Sequence, residues 1–197
     1  GVTPRPRRIV LYGTHGIGKS TWASKAPSPI FVPTEDGLDD IGADRFPVCR
    51  SLADFNTAIS QLLTEDHQYA TVVVDTLDWL EKLVWQTVAS NEGKNHIEEI
   101  GYGRGYKFAS KEWEFALSSL EHLRKTRRMA IVMLAHAKIE RFNSPDSEPF
   151  DRYDHDLHKF ASATIQEWAD EVLFARYQIF TVQEEAKFNG KRVRGVG

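Results

Sequence analysis

Gly13-Thr14-His15-Gly16-Ile17-Gly18-Lys19-Ser20-Thr21 decides the reading of this chain. Its first eight residues fit G-x-x-x-x-G-K-[ST] at every position. Glycines let the main chain fold into a nest whose N–H groups converge on one anion. The positive end of a following helix adds to that field. In this arrangement Lys19 reaches the β- and γ-phosphates of a nucleotide, and the Ser20 hydroxyl reaches Mg²⁺. The bland alternative is a glycine turn carrying an exposed lysine. The flanks favour the phosphate loop. RIVLY (8–12) reads as a buried strand, and GKSTWASKA (18–26) reads as a helix stopped by Pro27 and Pro29.

Further along, IFV (30–32) predicts a second short strand, followed by the acidic stretch TEDGLDD. Ser51 and Asp54 form a capping-box pattern ahead of Leu52, Phe55, Ile59, Leu62 and Leu63 at helical spacing. TVVVD (71–75) is β-branched, apolar and ended by a carboxylate, the pattern of a strand covered on both faces. Thr76 is placed to cap a helix carrying Leu77, Leu80, Leu83, Val84 and Val88. After GYGRGY (101–106) a long helix is predicted over 107–127, then a buried strand MAIVMLA (129–135) ending at His136. Residues 138–160 are polar and acidic and read as a long loop. EVLFARY (171–177) predicts a late strand that IFTV (179–182) extends or pairs with. Alternating strands and helices imply an α/β fold with a mostly parallel central sheet flanked by helices. Its strand C-termini then share one edge, where ligands of such sheets bind.

The 197 residues predict a single domain over 1–197, at ~100–200 residues per domain. With 41% hydrophobic and 27% charged residues the composition is that of an ordinary globular chain, not a disordered one. A net charge of −3 leaves any affinity for nucleic acid to local basic patches. The single cysteine, Cys49, excludes an internal disulfide and a cysteine zinc cluster, and reads as a packing residue. The longest apolar run, MAIVMLA, is far short of the ~20 residues that span a bilayer, and no signal peptide is read. The chain opens on Gly1 and closes on GKRVRGVG, so a C-terminal segment is expected to be missing.

Three polar residues at predicted strand ends complete the candidate site. Asp75 either holds Mg²⁺ through water or caps the next helix. Glu35 and Asp36 follow the second strand; Glu35 is the better reach for positioning a water at the γ-phosphate, against the alternative of an exposed acidic loop. His136 either donates to the γ-phosphate and reports its presence, or only packs. Tyr102, Arg104, Tyr106 and Lys107 interleave rings and cations on a glycine frame, a pattern for stacking bases and holding phosphates, or for packing on the core. The run 124–128 reads as cations at a helix C-terminus. Lys187, Lys191, Arg192 and Arg194 read equally as a contact to DNA or a neighbouring subunit and as a solvated hairpin. DRYDHDLH (151–158) reads as solvated loop rather than metal site.

Together LYGTHGIGKSTWA, IFVPTEDGLDDI, TVVVDTLDWL, GYGRGYK, IVMLAHAKIERF and WADEVLFARY resemble the RecA-like P-loop ATPases of bacteriophages, in the Sak-type single-strand annealing branch. The resemblance implies ATP and Mg²⁺ as cofactors, with Gly13 to Thr21 on the nucleotide and Ser20 and Asp75 on the metal. It implies Glu35 as the activator of water, Lys19 as stabiliser of the phosphates, and His136 in the sensor position usually held by Gln. It further implies single-stranded DNA as partner, contacted near Tyr102–Lys107 and 138–160. Homo-oligomers as rings or filaments, a single-strand-binding protein as associate, and the cytoplasm of a bacterial host are also implied. Two departures stand out. Asp146, Glu148, Asp151, Asp154 and Asp156 make the second segment a poor partner for phosphate. The chain also stops before a clear version of the branch's basic C-terminal motif.

The expected activity is ATP hydrolysis coupled to annealing or recombination of single-stranded DNA. Two rivals share the phosphate loop: a small-molecule kinase and a nucleotide-gated binding module with little turnover. A kinase needs a basic lid, which the acid-rich 138–160 does not offer.

Overall fold

The structure, a computed structural model, describes residues 5–143, 148–178, 180–186 and 190–196. Its elements run β1 (Arg8–Gly13), α1 (Lys19–Ala23), β2 (Pro29–Pro33), β3 (Asp44–Arg45), α2 (Leu52–Thr64), β4 (Thr71–Asp75) and α3 (Leu77–Asn91). They continue with α4 (Arg104–Thr126), β5 (Ala130–Phe142), β6 (Phe150–His155), α5 (Lys159–Trp168), β7 (Glu171–Ala175), β8 (Phe180–Ala186) and β9 (Gly190–Val196). The main sheet has the order β3-β2-β4-β5-β1-β7, all parallel, with β6 added antiparallel to the far half of β5.

Strand alternation sorts the core onto two faces. Val10, Val72, Val74, Ile131 and Met133 point into the layer built by α2, α3, α4 and α5, where Trp113, Phe55 and Leu120 are fully enclosed. Leu11, Phe31, Val73, Val132 and Leu134 point the other way, under Ala23 of α1 and Leu38. Every residue of β4 is buried, which is why TVVVD carries no polar alternation before its terminal carboxylate. The Ser51 capping box forms as expected, with Asp54 accepting from the Ser51 N–H and the Ser51 hydroxyl from the Asp54 N–H.

Register places the chemistry. Gly13 lies opposite His136 on one side and Ala175 on the other; Asp75 lies opposite Pro33 and Leu134. The C-terminal ends of β1, β2 and β4 and the middle of β5 therefore form one edge, and the residues after β2 and β4 begin there.

Four local expectations need correction. The helix after the phosphate loop is only Lys19–Ala23; Lys25 and Ala26 donate to Trp22 and Ala23 in tighter turns before Pro27. The long helix begins at Arg104 rather than 107, so Arg104, Tyr106 and Lys107 belong to its first turn. The stretch 138–160 is not a loop among its described residues. β5 runs through His136 to Phe142 and folds back as β6, held by Phe142 against Phe150 and Arg141 against Asp151, before α5 starts at Lys159. Finally, β8 pairs with β9 in a separate hairpin, not with β7. Residues 144–147, 179 and 187–189 lie outside the described residues, Lys187 among them; for Lys191, Arg192 and Arg194 only the strand itself is described.

Candidate nucleotide site

Two of the three glycines in the phosphate loop have clearly different tasks. At Gly13 a Cβ would sit 2.6 Å from the Ala175 carbonyl oxygen, so only glycine lets β7 close on β1 there. Gly18 caps α1 at φ 94°, the left-handed region that side chains disfavour. Lys19 folds back, its Nζ donating to the carbonyls of Gly13 and Thr14 at 3.2 Å each. Burial holds its ammonium below the usual lysine range, opposed by the nearby Asp75, Asp78 and Glu35 carboxylates.

Ser20 Oγ donates to Asp75 Oδ2 over 2.6 Å, joining the loop to the end of β4. Burial pushes the Asp75 carboxyl up, the Ser20 bond pulls it down, and neighbouring Glu35 adds to the rise. A part-buried hydroxyl–carboxylate pair is a hard-oxygen donor set, which suits Mg²⁺ completed by phosphate oxygens and water. The described residues contain no group of three or more His, Cys, Asp or Glu able to cage a metal by themselves. That includes 151–158, where His155 is buried against Asp154, Nδ1 to Oδ1 2.6 Å.

Glu35 is fixed by a clasp absent from the sequence reading. The Thr34 hydroxyl donates to the Thr76 carbonyl at 2.7 Å and accepts the Thr76 N–H at 2.8 Å, while the Thr34 N–H donates to the Asp75 carbonyl at 2.7 Å. This sews the end of β2 to the end of β4. Thr76 stands at the N-cap of α3 as expected, but its hydroxyl does not cap the helix; it donates to Glu35 Oε1 at 3.0 Å. Glu35 Oε1 in turn lies 3.9 Å from His136 Nε2. Asp36 turns aside to pair with Arg50 at 3.2 Å.

His136 is held by Asp78, a second residue the sequence reading passed over. Asp78 accepts the His136 main-chain N–H at 3.0 Å and its ring Nδ1 at 2.9 Å. The bond to Asp78 raises the imidazole above its ordinary value against the effect of burial. For Asp78, burial pushes up but the His136 bonds win, leaving the carboxyl low. With Nδ1 committed to Asp78, Nε2 is the atom left facing the cleft. The His15 ring stands 5.4 Å away, centroid to centroid. Both missed residues carried a faint signal: D-T-L-D places Asp78 three residues after Asp75, in the first turn of α3, and Thr34 is the polar residue directly beyond β2.

The cleft so formed is about 270 Å³ and is lined by Lys19, Ser20, Glu35, Asp75, Thr76 and His136 among others. A groove of about 570 Å³ lies near Asp44, Glu65 and Asp66, at the opposite ends of the strands, where acidic lining is wrong for phosphates. The remaining candidates separate. Tyr102, Arg104 and Lys107 are exposed, whereas the Tyr106 ring packs against His158. In the basic run, Arg124 pairs with Glu121 at 2.6 Å and donates to the Pro6 carbonyl at 3.0 Å; Arg127 donates to the carbonyls of Leu62 and Glu65. Burial drives the Cys49 thiol up to about 11, consistent with packing.

A family model described as an AAA domain matches residues 5–196. The SPbeta prophage-derived uncharacterized protein YorG of Bacillus subtilis (strain 168) is 27% identical over 112 residues, covering 54% of this chain and 35% of that protein. The chain thus spans about a third of the length of this curated relative. The crystal structure of the RadB recombinase aligns with a TM-score of 0.50 and 17% identity, over 86% of this chain and 74% of that one. At that identity the likeness is one of fold: a RecA-like α/β P-loop arrangement. No helix among the described residues is long and apolar enough to cross a membrane.

Proposed function

The chain belongs to the AAA domain family, and from that premise we propose that it is a Mg²⁺-dependent ATPase, one RecA-like domain over 1–197, acting on single-stranded DNA in phage annealing or recombination. The observation that carries the proposal is the 2.6 Å bond between Ser20 and Asp75, in the same cleft as Lys19, Glu35 and His136. Those five groups supply what phosphoryl transfer asks of a protein, which is positioning and charge neutralisation.

Gly13 to Thr21 would wrap the triphosphate, with Lys19 exchanging its two carbonyl partners for phosphate oxygens. Ser20 and Asp75 would hold Mg²⁺, which when bound neutralises charge on the phosphates. Glu35, fixed by Thr76, orients the attacking water and accepts its proton. His136, with Nδ1 anchored on Asp78, presents Nε2 to the terminal phosphate and distinguishes ATP from ADP.

The Sak-type branch, subunit rings or filaments, a cytoplasmic setting in the host and association with a single-strand-binding protein belong to the same reading. The prophage origin of the relative and the recombinase fold likeness support it. Exposed Tyr102, Arg104 and Lys107 are the candidate contacts to DNA, and Tyr106 takes part through its packing on His158. The test is ATP turnover with and without single-stranded DNA, alongside binding of labelled single-stranded DNA with ATP, ADP or no nucleotide across salt concentrations. Stimulated turnover and nucleotide-dependent, salt-sensitive binding are expected. A folded sample that binds no nucleotide overturns the reading.

A further inference from the structure

A buried carboxylate outside the cleft has no task in hydrolysis. Glu81 lies one helical turn beyond Asp78 on α3 and is 4% exposed. Both of its oxygens accept the main-chain N–H of His158, at 3.2 and 2.9 Å. His158 ends the bend that joins β6 to α5. The same bend is held from the other side, where Lys138 Nζ of β5 donates to the Leu157 carbonyl at 2.8 Å. It is also tied to the cleft, since the Asp156 N–H donates to the His136 carbonyl at 2.8 Å.

The bend meets the start of α4. The His158 ring stacks on Tyr106 at 4.1 Å and 5° between planes, and Trp85 closes the stack edge-on. One turn of α3 therefore holds two things. Asp78 grips His136 at the nucleotide edge, and Glu81 grips the bend whose His158 stacks on Tyr106 in the first turn of α4.

We propose that Glu81 is a positioning residue that couples the nucleotide cleft to the hairpin and to Tyr106, by pinning the Asp156–His158 bend to α3. The inference rests on the nucleotide reading of the cleft. A shift of His136 toward a terminal phosphate pulls on Asp78 and on the Asp156 N–H together. The bend follows only while Glu81 keeps it attached to the same helix. Without that anchor, the His136 movement ends at the hairpin's first hydrogen bond.

The groups facing Glu81 are Asp78 on its own helix, Lys138 from β5, Asp156 and His158 from the bend, and Tyr106 from α4. Burial raises the Glu81 carboxyl to about 7, with the His158 N–H and Lys138 pulling it down. The ionised form accepts the N–H more strongly than the neutral one. Coupling therefore strengthens as pH rises through that value.

Hydrogen exchange of the whole chain, with Mg²⁺ and a non-hydrolysable ATP analogue, tests this without DNA. In the unaltered protein the analogue should slow exchange at 13–21, at 150–158 and at 104–107. Glu81→Ala should keep the response at 13–21 and lower that at 150–158 and 104–107 by about tenfold or more, the scale of one hydrogen bond to a charged group. Glu81→Gln, which retains an acceptor of the same size, should keep the response but lose its rise between pH 6 and 8. A Glu81→Ala protein responding like the unaltered one overturns the proposal, as does a Glu81→Gln protein with the unaltered pH profile. Protection at 13–21 without any at 150–158 in the unaltered protein rejects the coupling alone. No protection at 13–21 rejects the nucleotide reading itself, and the coupling with it.

Discussion

Asp78 takes both the main-chain N–H and the ring Nδ1 of His136, at 3.0 and 2.9 Å, so one carboxylate fixes both the position and the tautomer of the cleft's histidine. The histidine's remaining nitrogen can then face only Glu35 and the phosphate site. A single helical turn after β4 thus supplies an orienting group for a residue 58 positions away.

This pair gives the first prediction. The raised His136 value means that its stabilisation is fully present below the unfolded histidine value and is lost as pH rises through the folded one. The lowered Asp78 value contributes above the unfolded carboxylate value and is lost as pH falls through the folded one. Asp78→Asn should therefore cost about 1–3 kcal/mol near pH 6, where the carboxylate meets an imidazolium, and less at pH 9, where the carboxylate keeps its two hydrogen bonds but the imidazolium charge is gone. Urea midpoints at the two pH values check this; an equal loss at both would contradict it.

Glu35→Gln should leave nucleotide affinity within about twofold and reduce turnover by about 10²–10⁴, the usual worth of a positioned general base. The amide can still accept from the Thr76 hydroxyl, and the Thr34 bonds that sew β2 to β4 do not involve the Glu35 side chain. Isothermal binding of ATP beside steady-state hydrolysis separates the two effects.

Gly13→Ala should destabilise by about 1–3 kcal/mol, the range for overpacking a closed site. Its Cβ would meet the Ala175 carbonyl at 2.6 Å, a main-chain atom that moves only if β7 moves. Gly42→Ala, where a Cβ meets nothing within 4 Å, is the control and should unfold like the parent. Denaturant midpoints of the two variants decide the matter.

Glu81 also marks the pH profile of stability. Its folded value of about 7 lies above the ordinary 4.5, so the native state holds a proton that the unfolded chain has released. Stability contributed by this group therefore falls as pH rises from about 4.5 to 7. Glu81→Gln should flatten that part of the profile, and thermal midpoints across pH 4.5 to 8 would reveal it. An unchanged slope would mean that the burial is relieved by water.

The phosphate loop, the buried strands and the α/β class were legible because each is encoded locally. Glycine spacing, a run of β-branched residues and an apolar period of 3.6 are contained in windows of a few residues. Glu35, Asp75 and His136 could be nominated because a parallel sheet sends all its strand C-termini to one edge. The β5–β6 hairpin escaped notice for a converse reason. KIERF and FDRYDH carry charges on both faces, since most of the hairpin's residues are exposed. Its stability comes from cross-strand partners such as Arg141 and Asp151, which are neighbours only once paired.

What the sequence determined by itself is the identity of the chemical groups and the edge of the sheet they belong to. What only the tertiary structure decided is who holds them: Thr34 sewn to Thr76, Asp78 on His136, Glu81 on His158. Such bonds join segments separated by 42, 58 and 77 residues. Their energy depends on burial and on distances of a few ångströms, and neither exists until the sheet has closed.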